Sequence, residues 1–309
     1  MKKNLHKLNR IILCRAPIIF IVEDDNKEGE YEFLIKKIFN ELENVDFKVF
    51  AMDGKQGVKD FYEYIQGANV FKKKYLFLVD GDFEILRSDF ERISKSYGDN
   101  FCFLEKYNIE NYIFDEIEIN NYLRINCNAS KENLLNRIDY VFWKKNIEEY
   151  LGQMFLFFFA LYQFHIDFDC YTIPEHMDKY KHISLNNSGI PTEEGKCKCK
   201  DEVINAFCMK NNYDKKKFIN VIEKYERKLD NIFNKNIFDN ISDKYLLHSI
   251  VIYIKSIIAN SSDDDRKTLK GCVDETNMRK FLLARISNKK FTFLFDKWEP
   301  IIHEIIFQH

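Results

Sequence analysis

The stretch Tyr75-Leu76-Phe77-Leu78-Val79-Asp80-Gly81-Asp82 decides how the chain is read. Five consecutive apolar residues without polar alternation predict a short strand buried on both faces, as in a parallel sheet covered by helices. The run stops at two aspartates around a glycine, residues that end strands in turns. Ile18-Ile19-Phe20-Ile21-Val22 repeats the pattern and stops at Glu23-Asp24-Asp25, and Phe101-Cys102-Phe103-Leu104 is a third such run, followed by Glu105. Phe47-Lys48-Val49-Phe50 carries one polar residue and reads as a partly exposed strand. Between these runs, Tyr31 to Leu42 and Val58 to Ile65 place apolar residues at helical spacing. Strands alternating with helices imply an α/β fold with a mostly parallel sheet, whose ligands sit at the carboxyl ends of the strands.

Composition agrees. Of 309 residues 46% are hydrophobic, enough for real cores, so a disordered chain is excluded. Only 10 Gly and 4 Pro are present, too few for an all-β fold built on tight turns. The formal net charge of −2 excludes binding of nucleic acid by bulk charge, so any such contact must use local patches. Residues 1–17 make a poor signal peptide, and eight cysteines without an export signal point to reduced thiols in the cytoplasm. The most apolar window, Met154 to Tyr162, is too short to span a bilayer and is expected to be a buried helix.

From about Ser130 the pattern changes to long helical segments, at Lys131 to Phe164, Lys215 to Phe233, Lys244 to Ile258 and Met278 to Ile286. Loops are expected at Asn186 to Pro191 and at Ser261 to Asp265. The division is a catalytic α/β domain over residues 1–125 and a mainly helical domain over 126–309, for partner binding, dimerisation or substrate contact.

Glu23, Asp80 and Asp82 are the strongest chemical constellation. If the strands ending at Val22 and Val79 are neighbours, three carboxylates converge on one sheet edge. Such hard oxygen donors suit Mg²⁺, which protein sites usually hold by one or two carboxylates together with substrate phosphate. A second reading takes Val22-Glu23-Asp24-Asp25 and Ala51-Met52-Asp53-Gly54 as a response-regulator receiver, a non-catalytic signalling and binding module. Asp80 would then be its phosphoacceptor, with Asp24 and Asp25 holding Mg²⁺. A receiver also needs Ser or Thr after its fourth strand and Lys-Pro after its fifth, whereas Glu105 follows Leu104 and no Lys-Pro occurs. Cys197, Cys199 and Cys208 lack the spacing of a common zinc module. His165 ends an aromatic helix, and His176 and His182 flank a loop without an evident carboxylate partner. Lysine clusters, and Lys270 after the acidic loop Asp263-Asp264-Asp265, offer phosphate contacts, with Lys270 the candidate substrate-binding residue.

Val22-Glu23 after one apolar strand, Asp80-Gly81-Asp82-Phe83 after another and Asn108-Ile109-Glu110-Asn111-Tyr112 beyond the third together resemble the Toprim catalytic domain. The likeness covers about the first 120 residues. It is nearest to the AriB-like Toprim effector nucleases of the PARIS anti-phage defence system, and more distant to the OLD nucleases. The resemblance implies that Glu23 serves acid/base catalysis or metal binding, that Asp80 and Asp82 are the metal-binding pair, and that Glu110 is a further acidic ligand. Many Toprim sequences carry glycine after the first glutamate, where this chain has Asp24.

The same resemblance implies a Mg²⁺-dependent nuclease, with Mn²⁺ as the alternative ion, acting as a toxic cytoplasmic effector of antiviral defence (abortive infection). Its expected substrate is tRNA, whose cleavage stops translation, with DNA cleavage of the OLD type as the rival. The expected partners are an ABC-type ATPase of the AriA kind, which holds the effector inactive, and a second copy of the chain once released.

Overall fold

The computed structural model describes residues 2–23, 27–39, 45–68, 74–127, 132–167, 185–190, 192–233, 241, 243–260 and 271–307. Their order is α1 (Lys2–Ile12), β1 (Ile18–Val22), α2 (Glu28–Ile38), β2 (Phe47–Ala51), α3 (Gly54–Gly67), β3 (Tyr75–Val79), α4 (Phe90–Ser96) and β4 (Phe101–Phe103). There follow α5 (Glu116–Asn126), α6 (Glu132–Leu135), α7 (Tyr140–Asp167), α8 (Glu193–Asn211), α9 (Lys215–Phe233), α10 (Asp243–Ala259), α11 (Glu275–Arg285) and α12 (Thr292–Phe307). The chain forms two compact units. The first comprises Met1–Gly81, Arg87–Glu105 and Ile286–His309, and the second comprises Asp82–Leu86 and Lys106–Arg285.

In the first unit the four strands form one parallel sheet in the order β2-β1-β3-β4. All five residues of β1 are fully buried, as a run without polar alternation requires. Because side chains alternate across a strand, Ile19 and Ile21 join Phe50, Phe77 and Phe101 on one face, where Ile11 of α1 and Val58, Phe61 and Ile65 of α3 cover them. On the other face the Phe20 ring lies 5.5 Å from Phe47 and 5.8 Å from Trp298 of α12. Phe39, just after α2, stacks on Phe295 and Trp298 of the same helix. Thus α12, far away in sequence, completes the second cover, and its Lys297 ammonium donates to the Phe101 carbonyl on edge strand β4 at 2.7 Å.

Helix α2 begins at Glu28, three residues before the expected start, and there the Glu28 carboxylate accepts the Ala51 N–H of β2 at 3.1 Å. It ends at Ile38, since Phe39 leaves helical geometry. Residues 40–42 of the expected helix lie outside the described residues.

In the second unit the expected long helix from Lys131 is two helices, α6 and α7, and Asp139 starts the second by accepting the Phe142 N–H at 2.8 Å. The Met154–Tyr162 run lies inside α7, mostly buried. Phe164 of α7 meets Phe207 of α8 and Phe218 and Tyr225 of α9 edge-on at 5.6–5.9 Å. Among the described residues no helix is long and apolar enough to cross a membrane. The loop at 185–190 is tied by Asn186, whose side-chain oxygen accepts from Ser188 and Ile190 N–H. Buried Ser249 of α10 accepts from the Trp143 indole and donates to the Gly189 carbonyl.

Two substitutions test these cores. Trp298→Ala removes the ring that covers Phe20 and should cost about 3–5 kcal/mol in a urea titration. Gly189 has φ +71°, and a Cβ there would overlap the Ser249 backbone oxygen. Gly189→Ala is therefore expected to destabilise the second unit by about 2 kcal/mol or more, read in the same titration.

Candidate functional site

Strand order changes direction between β1 and β3: the chain leaves β1 towards β2 on one side and returns to β3 on the other. Such a switch point opens a crevice at the carboxyl ends of the strands. Glu23 follows β1 directly and Asp80 follows β3 directly, so the two sequence-predicted carboxylates stand on adjacent strands at this point. They are coupled. The Asp80 N–H donates to Glu23 Oε2 at 3.1 Å, so a side-chain carboxylate takes the place of the next rung of the ladder. The Glu23 carbonyl in turn accepts the Gly54 N–H at 3.2 Å, where Gly54 adopts φ +73° at the start of α3. Asp80 is only 9% exposed, and Glu23 is half-buried.

Two acids not assigned to this site on sequence grounds share the edge. Asp53 lies two residues beyond β2 and Glu105 two residues beyond β4, both exposed. Every strand of the sheet is therefore followed within two residues by a carboxylate. The signal was present in the sequence, but the intervening Met52 and Leu104 extend the apolar runs and mask it.

Asp82 and Glu110 belong to the second unit. Asp82 has φ +44°, a left-handed conformation that aspartate tolerates better than most residues, and its N–H donates to the Tyr107 carbonyl at 2.7 Å. The next residue, Phe83, is buried among Tyr107, Phe155, Phe159 and Tyr162, with ring centroids 5.3–6.3 Å away. That packing anchors the turn that carries Asp82. Glu110 lies in the short 3₁₀ turn Ile109–Tyr112, and its side chain is outside the described residues. Its motif neighbours hold the turn: buried Asn108 and Asn111 exchange backbone-to-side-chain bonds at 3.3 Å, and Asn111 also donates to the Ile241 carbonyl at 2.7 Å. Tyr112 accepts the Lys106 N–H through its hydroxyl at 3.1 Å. Asp24, Asp25, His176, His182 and Lys270 lie outside the described residues.

Among the described residues no group of three or more His, Cys, Asp or Glu side chains is placed to hold a metal ion. Magnesium asks for less, since one or two carboxylates plus substrate phosphate suffice. The pair Glu23 and Asp80 fits that donor set, with oxygen ligands on two adjacent strand ends. Among the described residues the cysteines form no zinc site. Cys197 and Cys199 lie two apart on α8 and so face different ways, Cys197 exposed and Cys199 buried.

Burial also disarms the thiols. It pushes the Cys102 and Cys199 thiols up to about 11, and it raises Cys127 and Cys272, whose thiols hydrogen-bond to each other. Iodoacetamide at pH 8, read peptide by peptide by mass spectrometry, should label Cys197 in the native protein. Cys102 and Cys199 should react about 100-fold more slowly until urea is added.

The described chain is thus an α/β domain with a four-stranded parallel sheet of order 2-1-3-4 flanked by helices, followed by a mainly helical region. A scan of family models and a search of curated proteins returned no match to it.

Proposed function

We propose that the chain is a Mg²⁺-dependent, Toprim-like phosphodiesterase, an endonuclease whose preferred substrate is tRNA. The observation that carries this reading is the junction of Glu23 with the Asp80 backbone at the switch point of the sheet. It supports a site where the Glu23 carboxylate is held by the main chain of the neighbouring strand end, directly beside Asp80. Bound Mg²⁺ would neutralise charge on the scissile phosphate and lower the pKa of a water. In this reading Asp80 would hold the ion and Glu23, beside it, would take the proton from the attacking water, while Asp82 as a second ligand rests on the sequence likeness. Water adds to phosphorus as the bond to the leaving sugar oxygen breaks, and that oxygen is protonated from solvent. Glu110 as a further ligand, Lys270 as a phosphate contact, the ABC-type ATPase partner, the homodimer and the role in anti-phage defence belong to the same proposal and rest on the sequence likeness.

The receiver-like alternative is less well supported. It expects Ser or Thr after β4 and Lys-Pro after a fifth strand, whereas exposed Glu105 follows β4 and the sheet has four strands among the described residues.

Glu23→Gln separates catalysis from structure, because the amide oxygen can still accept the Asp80 N–H. Purified wild-type and variant proteins are incubated with total tRNA and with plasmid DNA, in Mg²⁺ and in EDTA. The expected result is Mg²⁺-dependent tRNA cleavage that falls about 10²–10⁴-fold in the variant, with an unchanged melting temperature. Cleavage of DNA alone assigns the site to the OLD-like branch, and cleavage of neither by the wild type overturns the nuclease reading.

A further inference from the structure

Two of the chain's cysteines stand against each other. Cys127 closes α5, its N–H donating to the Leu123 carbonyl at 3.1 Å, and Cys272 lies in the turn that leads into α11. Their thiols share a hydrogen bond. The main chain around them is tied from the same side: the hydroxyl of Tyr122, earlier on α5, donates to the Cys272 carbonyl at 2.8 Å. Further along the two helices the Tyr122 ring meets Phe281 edge-on at 5.4 Å, and Arg285 pairs with Glu118 at 3.5 Å. Packing of α5 on α11 thus holds the two cysteines together within the second unit.

Packing needs do not account for the pair. A buried cysteine behaves as a small apolar side chain, and Cys102, Cys199 and Cys208 are of that kind, their thiols raised by burial beside charged neighbours. A thiol is a weak donor and a weak acceptor, so a hydrogen bond between two of them gives little reason to place them together. What two adjacent thiols can do is join. Cys127 is 2% exposed whereas Cys272 is half-buried, so a reagent from solvent meets Cys272 first. An S–S bond of about 2.05 Å is shorter than a thiol–thiol hydrogen bond, so a sulfur must move on closure. Cys272 can supply the movement, since it sits in a turn after Gly271, whose φ is +86°, and not inside a helix.

We infer that Cys127 and Cys272 are a reversible redox lock, a dithiol that closes by exchange with a small disulfide such as oxidised glutathione and joins the end of α5 to the segment that starts α11. The Cys272 thiolate attacks one glutathione sulfur and expels a glutathione thiolate, leaving a mixed disulfide. Deprotonated Cys127 then attacks the Cys272 sulfur and expels the second glutathione thiolate. Two protein thiols are oxidised to one disulfide, one glutathione disulfide is reduced to two thiols, and the protons lost by the cysteines end on those thiols. Burial slows the first attack, because it disfavours the thiolate. The second joins groups that the fold already holds together, and that intramolecular step drives closure. The bond closes residues 127–272 into one long loop, which restricts the unfolded chain and so stabilises the second unit. None of this depends on the nuclease reading.

The full chain is equilibrated at about pH 8 with mixtures of oxidised and reduced glutathione, without denaturant, until its disulfide content stops changing. Acid quenching and mass spectrometry of digested peptides identify the linkages, and thermal melting compares the oxidised form with the form reduced by dithiothreitol. The expected result is a peptide linked through Cys127 and Cys272 in the folded protein, a melting temperature raised by about 5 °C or more, and loss of both on reduction. Exposed Cys197 should carry glutathione instead. Cys272→Ser should show neither the linked peptide nor the rise. The deciding comparison is between two states of the wild type, so it holds whether or not that variant folds. Linkage that appears only in urea, a mixed disulfide at Cys272 that never closes, or a smaller rise in melting temperature overturns the inference.

Discussion

Burial of both faces of a short parallel sheet is the constraint on which the first unit depends. Parallel strands leave no solvent-facing side on which polar residues could alternate, so β1 and β3 are apolar throughout and each face requires its own cover of helices. One cover comes from α1 and α3, the other from α2 and α12. The same parallel arrangement sends every strand's carboxyl end to one edge, and that alone gathers Glu23, Asp53, Asp80 and Glu105 there.

Side chains complete the sheet at two places, the end of the β1–β3 ladder and the outer edge of β2. Glu23 accepts the Asp80 N–H and Glu28 accepts the Ala51 N–H, so carboxylates complete hydrogen bonding that backbone would otherwise leave open. An acid that terminates a ladder is held by main chain on its neighbour strand, which limits its movement more than a surface rotamer would. Orientation by backbone is what a site needs if it is to meet a substrate with its groups already in place.

The strands were legible because double burial writes an unbroken apolar run: the expected limits of β1 and β3 coincide with those observed, and β2 and β4 differ by one residue. Glu23 and Asp80 were legible for the same reason, as the first polar residues after those runs. Helix α12 was not legible, because Asp296, Lys297, Glu299 and Pro300 interrupt its apolar residues and its partner, Phe20, is far away in sequence. Nor was α8, where alternating Lys and Cys drew attention to a zinc site, whereas on a helix Cys197 and Cys199 face different ways. Helix α1 was legible only as a basic stretch, since its apolar positions gain meaning once Ile11 is seen to be buried. Backbone signals such as the left-handed Asp82 have no sequence signature beyond an aspartate near a glycine.

That α12 completes the sheet's cover has a consequence for biosynthesis. The strands leave the ribosome before α12, so the Phe20 face lacks the α12 part of its cover until the segment from Ile286 onward emerges. At roughly 5–20 residues per second, the intervening chain of about 180 residues imposes a delay on the order of tens of seconds. Until then the sheet that carries the acidic edge lacks Trp298 over Phe20, so its folding is coupled to the arrival of α12 and not to the completion of its strands.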